Sequence, residues 1–155
     1  MASPGKPSRF VKPTLQTKFH IDYGWWEREN NDLRPYMLSH LSEEKREYFQ
    51  QHQDNRVVDY IDPQTGEVQR LDELGLALKE AAQQPDFINS QTPLVDSVFR
   101  VFLSNGNKPL TPLELAEATG GRDANTILKT LGGFKVYKGI RPYHPNSALT
   151  QSGDE

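Results

Sequence analysis

Apolar residues recur along the chain with different periods, and each period predicts a different element. Phe19-His20-Ile21-Asp22-Tyr23 alternates apolar and polar side chains, the pattern of a short half-buried strand. Downstream, Asn30-Asn31-Asp32 offers an N-cap, and Leu33, Met37 and Leu41 follow at a spacing of four. That spacing predicts a helix from about Asp32 to Leu41. Pro35 falls in its first turn, where a missing N–H is no loss. Ser42 reads as a fresh cap, with Glu43 and Glu44 at the positive end of a second helix dipole. This helix runs to about His52 and uses Tyr48 and Phe49 as its apolar contacts.

Val57-Val58-Asp59-Tyr60-Ile61 is β-branched and aromatic, and Glu67-Val68-Gln69-Arg70-Leu71 returns after Asp62-Pro63-Gln64-Thr65-Gly66. Asp starts that turn, Pro fixes φ, and Gly accepts a positive φ at its end, so the segment predicts a β-hairpin. Asp72 then caps a helix whose apolar set is Leu74, Ala77, Leu78 and Ala81, and Pro85 ends it. The polar stretch from Gln83 to Thr92 is the expected domain boundary.

Beyond it, Pro93 opens a helix with Thr92 as cap, and Leu94, Val98, Val101 and Phe102 share one face. Thr111, Pro112 and Glu114 form a capping box for a short second helix with Leu113, Leu115, Ala116 and Ala118. Gly120-Gly121 makes a turn. A third helix runs from about Asp123 to Leu131 with Ala124, Ile127, Leu128 and Leu131 inward, and Gly132-Gly133 ends it. Phe134 to Arg141 reads as strand, turn and the start of another strand. Leu-Thr-Pro-Leu-Glu-Leu-Ala-Glu-Ala-Thr-Gly (Leu110–Gly120), followed by the third helix and a β-wing, resembles the winged helix-turn-helix superfamily over the C-terminal third of the chain. Val136-Tyr137-Lys138-Gly139-Ile140-Arg141-Pro142 is a distinctive local signature with no function attached to it.

The expected architecture is α+β. A disordered basic arm (1–17) precedes a small mixed helix and hairpin domain (18–88). A winged helix-turn-helix domain (92–143) and a disordered tail (146–155) follow. A hydrophobic fraction of 35% and a mean hydropathy of -0.74 agree with small cores and much surface.

Charge sharpens this division. Residues 1–21 carry Lys6, Arg9, Lys12 and Lys18 and no acid; residues 22–91 carry fifteen acids against seven bases; residues 92–145 carry seven bases against four acids. A basic arm, an acidic middle and a mildly basic C-terminal part are physically different objects. The arm suits contact with phosphate or an acidic surface.

In a winged helix the third helix lies in the major groove, and the resemblance places Arg122, Asn125, Thr126, Lys129 and Thr130 on its outward positions. Asn pairs with adenine, Arg and Lys pair with guanine, and small hydroxyls suit phosphate or base edges. The wing adds Lys135, Tyr137, Lys138 and Arg141. Double-stranded DNA is the first partner these residues imply. Winged helices also serve as protein-contact modules, so an interaction subunit of a larger complex or a homodimer is the second reading, with RNA a third. For the protein-contact reading, the adjacent Trp25 and Trp26 are the expected interface anchors, because Trp is enriched at binding hot spots. Adjacent residues are not expected to face one core together, so one indole is assigned to the core and the other to a second surface.

Enzymatic chemistry finds no support. The chain has no cysteine, and His20, His40, His52 and His144 never fall at a helical metal-site spacing. No Gly-rich phosphate loop or Gly-x-Ser-x-Gly elbow occurs. Glu43, Glu44 and Glu47 lie among Lys45 and Arg46 as a solvated face. No metal and no cofactor are expected. The first residues lack the apolar run of a signal peptide, and no apolar stretch approaches a membrane span. A soluble cytoplasmic accessory factor of bacterial type is the expectation.

Overall fold

A computed structural model describes residues 12–52 and 56–145. The fold is α+β, with seven helices and four short strands among the described residues. Strand β1 (Phe19–Ile21) buries Phe19 and Ile21 and leaves His20 half-buried, as the alternation requires. Helix α1 (Tyr23–Arg28) is capped by Asp22, whose Oδ1 accepts from the Gly24 N–H at 3.1 Å. Asp32 caps α2 (Leu33–Leu38), and Ser42 caps α3 (Glu43–Gln51). The helix expected to reach Leu41 stops at Leu38, because residues 39–41 tighten into turns closed on Pro35, Tyr36, Met37 and Leu38 carbonyls.

Strands β2 (Val57–Ile61) and β3 (Val68–Asp72) form the expected antiparallel hairpin, with Ile61 opposite Val68. Asp62 Oδ1 accepts from the Gln64 and Thr65 N–H groups, and Gly66 takes φ +75°, where a side chain is strained. Asp72 ends the hairpin and caps α4 (Glu73–Ala82) through Gly75 N–H at 2.6 Å. Helix α5 (Leu94–Ser104) begins one residue later than expected. The Ser97 N–H closes on the Pro93 carbonyl, which makes Pro93 the cap position and leaves the Thr92 carbonyl outside the helix. Helix α6 (Pro112–Ala118) carries the capping box of Thr111 and Glu114 in both directions. Helix α7 (Ala124–Leu131) is capped by Asp123.

The first module does not keep its strand to itself. β1 pairs antiparallel with β4 (Ile140–Pro142), with Ile21 opposite Ile140. Its other edge is bridged to Leu110, and the Asn107 amide pairs with both the N–H and C=O of Ile21 at 2.8 and 2.9 Å. Phe19, Ile21 and Trp26 therefore sit in one core with Val98, Phe99, Phe102, Leu115, Ile127, Leu131 and Ile140. A second core is local to residues 38–78: Leu38, Leu41, Phe49, Leu74, Ala77 and Leu78. Met37 and Leu103 pack against both. The expected boundary at 83–92 is itself anchored, since Phe87 is buried and its carbonyl accepts from Arg100 Nη1 at 2.9 Å.

The expected wing is smaller than a hairpin. Residues 134–136 are not a strand. A tight turn at Tyr137-Lys138-Gly139-Ile140 carries positive φ at both central residues and closes with Ile140 N–H on the Tyr137 carbonyl at 3.0 Å. That is the signature of a primed turn. β1 occupies the place beside β4 that the first wing strand was expected to hold. The arm expected to be disordered through residue 17 has structure at its end: the Thr14 N–H and carbonyl are both bonded to Thr17, and Pro13 lies near Gly132. Residues 1–11 of the arm and the tail 146–155 lie outside the described residues. Among the described residues, no helix is long and apolar enough to cross a membrane.

Candidate functional site

Helix α7 is amphipathic, burying Ile127 and Leu131 and exposing Asn125, Thr126 and Lys129. Its capping determines which outward side chains are free. Thr126 donates both its N–H and its hydroxyl to Asp123 Oδ2 at 2.9 Å, and Thr130 donates its hydroxyl to the Thr126 carbonyl at 2.9 Å. Those hydrogen bonds hold Asp123 below the usual carboxylate range. Asn125 and Lys129 keep their polar ends at the surface.

Arg122 is placed differently from the expectation. Its Nη2 donates to the Thr92 carbonyl left outside α5, and lies 3.2 Å from the fully buried Ser97 hydroxyl. Its Nε is buried without a hydrogen-bond partner among the described residues. The guanidinium thus clamps the start of α7 to the start of α5 and does not project outward.

The residues expected in a wing separate as well. Lys138 Nζ sits 4.6 Å from the centre of the Tyr36 ring, toward α2. Lys135 is exposed, with Nζ 5.1 Å from the Tyr137 ring. Arg141 Nη1 bonds Asp22 Oδ2 at 3.1 Å, and the same oxygen takes Arg28 Nη2 at 2.8 Å. Partial burial pushes the Asp22 carboxyl up, but the two guanidinium contacts outweigh it and hold the group below its ordinary value.

Two clefts, each of about 590 Å³, meet where the arm crosses the end of α7. One is lined by Lys12, Pro13, Asn125, Leu128 and Lys129, and it shares Lys12, Pro13, Gly132 and Gly133 with the other. The second continues past Lys18, Phe134, Arg141 and His144. Among the described residues lining either cleft there is no Asp or Glu. The clefts on the other side of the molecule, around α3 and α4, all mix Glu or Asp with their bases. Of the residues expected to act together, the fold brings Asn125 and Lys129 to the first cleft and Arg141, paired with Asp22, to the adjoining one. It adds Lys12 and Lys18 of the arm, and leaves Arg122 and Lys138 out of both.

Phe134 carries no sequence signal beyond its place after Gly132-Gly133, which predicts a strand residue; in the structure it lies outside any strand and its side chain is wholly uncovered, at 108% relative exposure.

Neither tryptophan projects from the surface. Trp26 is buried and stacks on Tyr36 at 5.6 Å, and the half-buried Trp25 meets it edge-on at 5.3 Å and packs against the same core. Adjacent helical residues lie about 100° apart, which a wide apolar stripe accommodates. Behind Trp26 a polar network closes the core. The Tyr36 hydroxyl donates to Asp96 at 2.6 Å, and Arg100 Nε donates to His40 Nδ1 at 3.0 Å. The His40 ring lies parallel to Phe99. Burial, then the neighbouring Arg100 charge, lowers the His40 pKa to about 4.

No known family, curated protein or solved structure is significantly similar to this chain.

Proposed function

We propose that the chain is a cytoplasmic DNA-binding accessory or regulatory protein that works through a winged helix-turn-helix unit at residues 92–143. The order of α5, capped α6, glycine turn, α7, tight turn and β4 supports the winged-helix assignment. The observation that carries the DNA reading is the continuous cleft along α7, whose described lining holds Lys12, Lys18, Lys129 and Arg141 and no carboxylate. In a chain of net charge -3, cleft linings that hold bases and no acid form a local phosphate-binding surface, with Asp22 on Arg141 and Asp123 at the start of α7 lying outside them. Asn125 and Lys129 are the side chains free to meet base edges or phosphate, and Lys12, Lys18 and Lys135 neutralise backbone charge, while Arg141 is paired with Asp22. Arg122, Thr126 and Thr130 act within the fold.

Fluorescence anisotropy with a labelled random duplex across a salt series tests this reading. Affinity is expected to fall log-linearly with salt, and Lys129→Ala to weaken binding and reduce the slope by about 0.9. Absence of binding at low salt, or affinity unchanged in both Lys129→Ala and Lys18→Ala, overturns it.

A second reading, a non-enzymatic interaction subunit, has its own observation. Val57, Ile61 and Val68 are exposed on one face of the β2–β3 hairpin. Scattered apolar residues are ordinary, but three on one small face suit a protein contact. This replaces the tryptophans as the surface such a partner would meet.

A further inference from the structure

Resting on the DNA reading above, we propose that the Phe134 end of the cleft holds a single-stranded stretch of DNA, with an unpaired base stacked on the Phe134 ring. The ring has no covering contact, yet Phe134 lines a cleft whose described lining includes Lys12 and Lys18, the Asp22-paired Arg141, and no carboxylate. Lys135 follows it in the chain and is exposed. An uncovered ring in the lining of a cleft that holds cations and no carboxylate matches how single strands are held: cations track the backbone while an aromatic face takes a base. An apolar protein partner is poorly served by this setting, because docking across the cleft would desolvate its lysines without supplying charge for them. The interior of an intact duplex offers no free base face to the ring.

The rest of the face points the same way. Phe has no hydrogen-bonding group, so it recognises the flat surface of a base and not its edge. Arg122, the one arginine expected to read guanine from α7, is engaged with Thr92 and Ser97. Affinity at this face therefore comes from backbone charge and stacking, both tolerant of sequence.

Three labelled probes test the proposal by anisotropy with the full chain: a blunt duplex, the same duplex with a central bubble of unpaired thymines, and oligothymidylate. The bubble duplex is expected to bind at least about fivefold more tightly than the blunt one. Phe134→Ala should abolish that preference, bringing bubble affinity down to that for the blunt duplex, while Phe134→Trp preserves it. A fluorescent adenine analogue placed in the bubble should be quenched by the wild type and not by Phe134→Ala. Equal affinity for bubble and blunt duplex, or a preference that survives in Phe134→Ala, overturns the stacking role while leaving Lys129-dependent duplex binding intact. Loss of all DNA binding, or its indifference to Lys129→Ala, removes the parent reading and this one with it. Concentration-dependent association that Phe134→Ala abolishes would assign the ring to a second copy of the chain and also overturn the proposal.

Discussion

Gly139 and the Trp26 indole pack so closely that no side chain fits between them: a Cβ on Gly139 would lie 2.7 Å from Trp26 Nε1 and 3.1 Å from Cδ1. Gly139 also has φ +75°, and its carbonyl accepts from the Asp22 N–H at 2.8 Å. The two most distinctive segments of the sequence, around Trp25-Trp26 and Lys138-Gly139, are thus halves of one packing contact. Gly139→Ala should destabilise the fold through both its left-handed backbone and the indole. Gly106→Ala, at φ +74° with nothing within 4 Å of its Cβ, should lose only the backbone share of about 1–2 kcal/mol. Urea denaturation of the two variants separates the terms, and the larger loss is expected for Gly139→Ala, by a further 1–3 kcal/mol or so.

Arg122 has a structural signature that DNA binding alone would not give. It ties the loop before α7 to the Thr92 carbonyl and the buried Ser97 hydroxyl. Arg122→Ala is expected to lower stability by about 1.5–3 kcal/mol, the range for hydrogen bonds to a charged group. Low-salt affinity for blunt duplex should change little at a temperature where the variant is folded. A variant of unaltered stability with sharply weakened DNA binding would place the guanidinium outward after all.

Much of the local structure was legible because it is decided by neighbouring residues. Asp32, Ser42, Asp72 and Thr111 cap helices as read, Asp123 opens α7, and Asp62 to Gly66 turns the hairpin, whereas Asp22 and Tyr23, which alternation assigns to a strand, cap and begin the unpredicted helix α1. What else escaped was decided at long range. Whether Phe19–Ile21 joins the first half or pairs with Ile140 depends on residues more than a hundred positions away, and alternation is the same in either case. Arg122 looked like a free cation because its acceptor, the Thr92 carbonyl, is a backbone atom that becomes available only when α5 starts at Leu94. Lys12 and Lys18 were legible as bases, but their place beside α7 was not. The candidate site is therefore half visible: Asn125, Lys129 and Arg141 are readable as candidates, and the adjoining clefts in which the arm meets them require the fold.

His40 should make stability depend on pH well above the carboxylate range. Its ring is buried, with a pKa lowered from 6.5 to about 4. Between those values the unfolded chain binds a proton that the folded chain does not, so stability rises with pH across the window and is lost as pH falls through it. The span corresponds to about 3 kcal/mol at most. Partial burial lowers His20 in the same direction, so the informative quantity is the difference from a His40→Gln variant, which retains an acceptor for Arg100. Urea midpoints from pH 7 down to 5 should fall more steeply for the wild type. Equal slopes would mean that the ring titrates normally in the folded state.

The hairpin provides the sharpest separation between the two functional readings. Ile61 and Val68 are directly opposite on the exposed face, with Val57 on the same side. Replacing both members of the pair by Lys removes the apolar surface and adds like charges across the strands, a cost of roughly 0.2–1 kcal/mol. The doubly substituted chain should therefore remain folded, with the hairpin still docked through Tyr60, whose ring faces Lys79 and whose hydroxyl accepts from Gln83 Nε2. Under the DNA reading its duplex affinity and salt slope match those of the wild type, because the hairpin shares no lining residue with the cleft along α7. Under the protein-contact reading, light scattering of the wild type reveals concentration-dependent association that the substitution abolishes. Wild-type monomer at every concentration, together with salt-sensitive duplex binding in both proteins, decides for DNA.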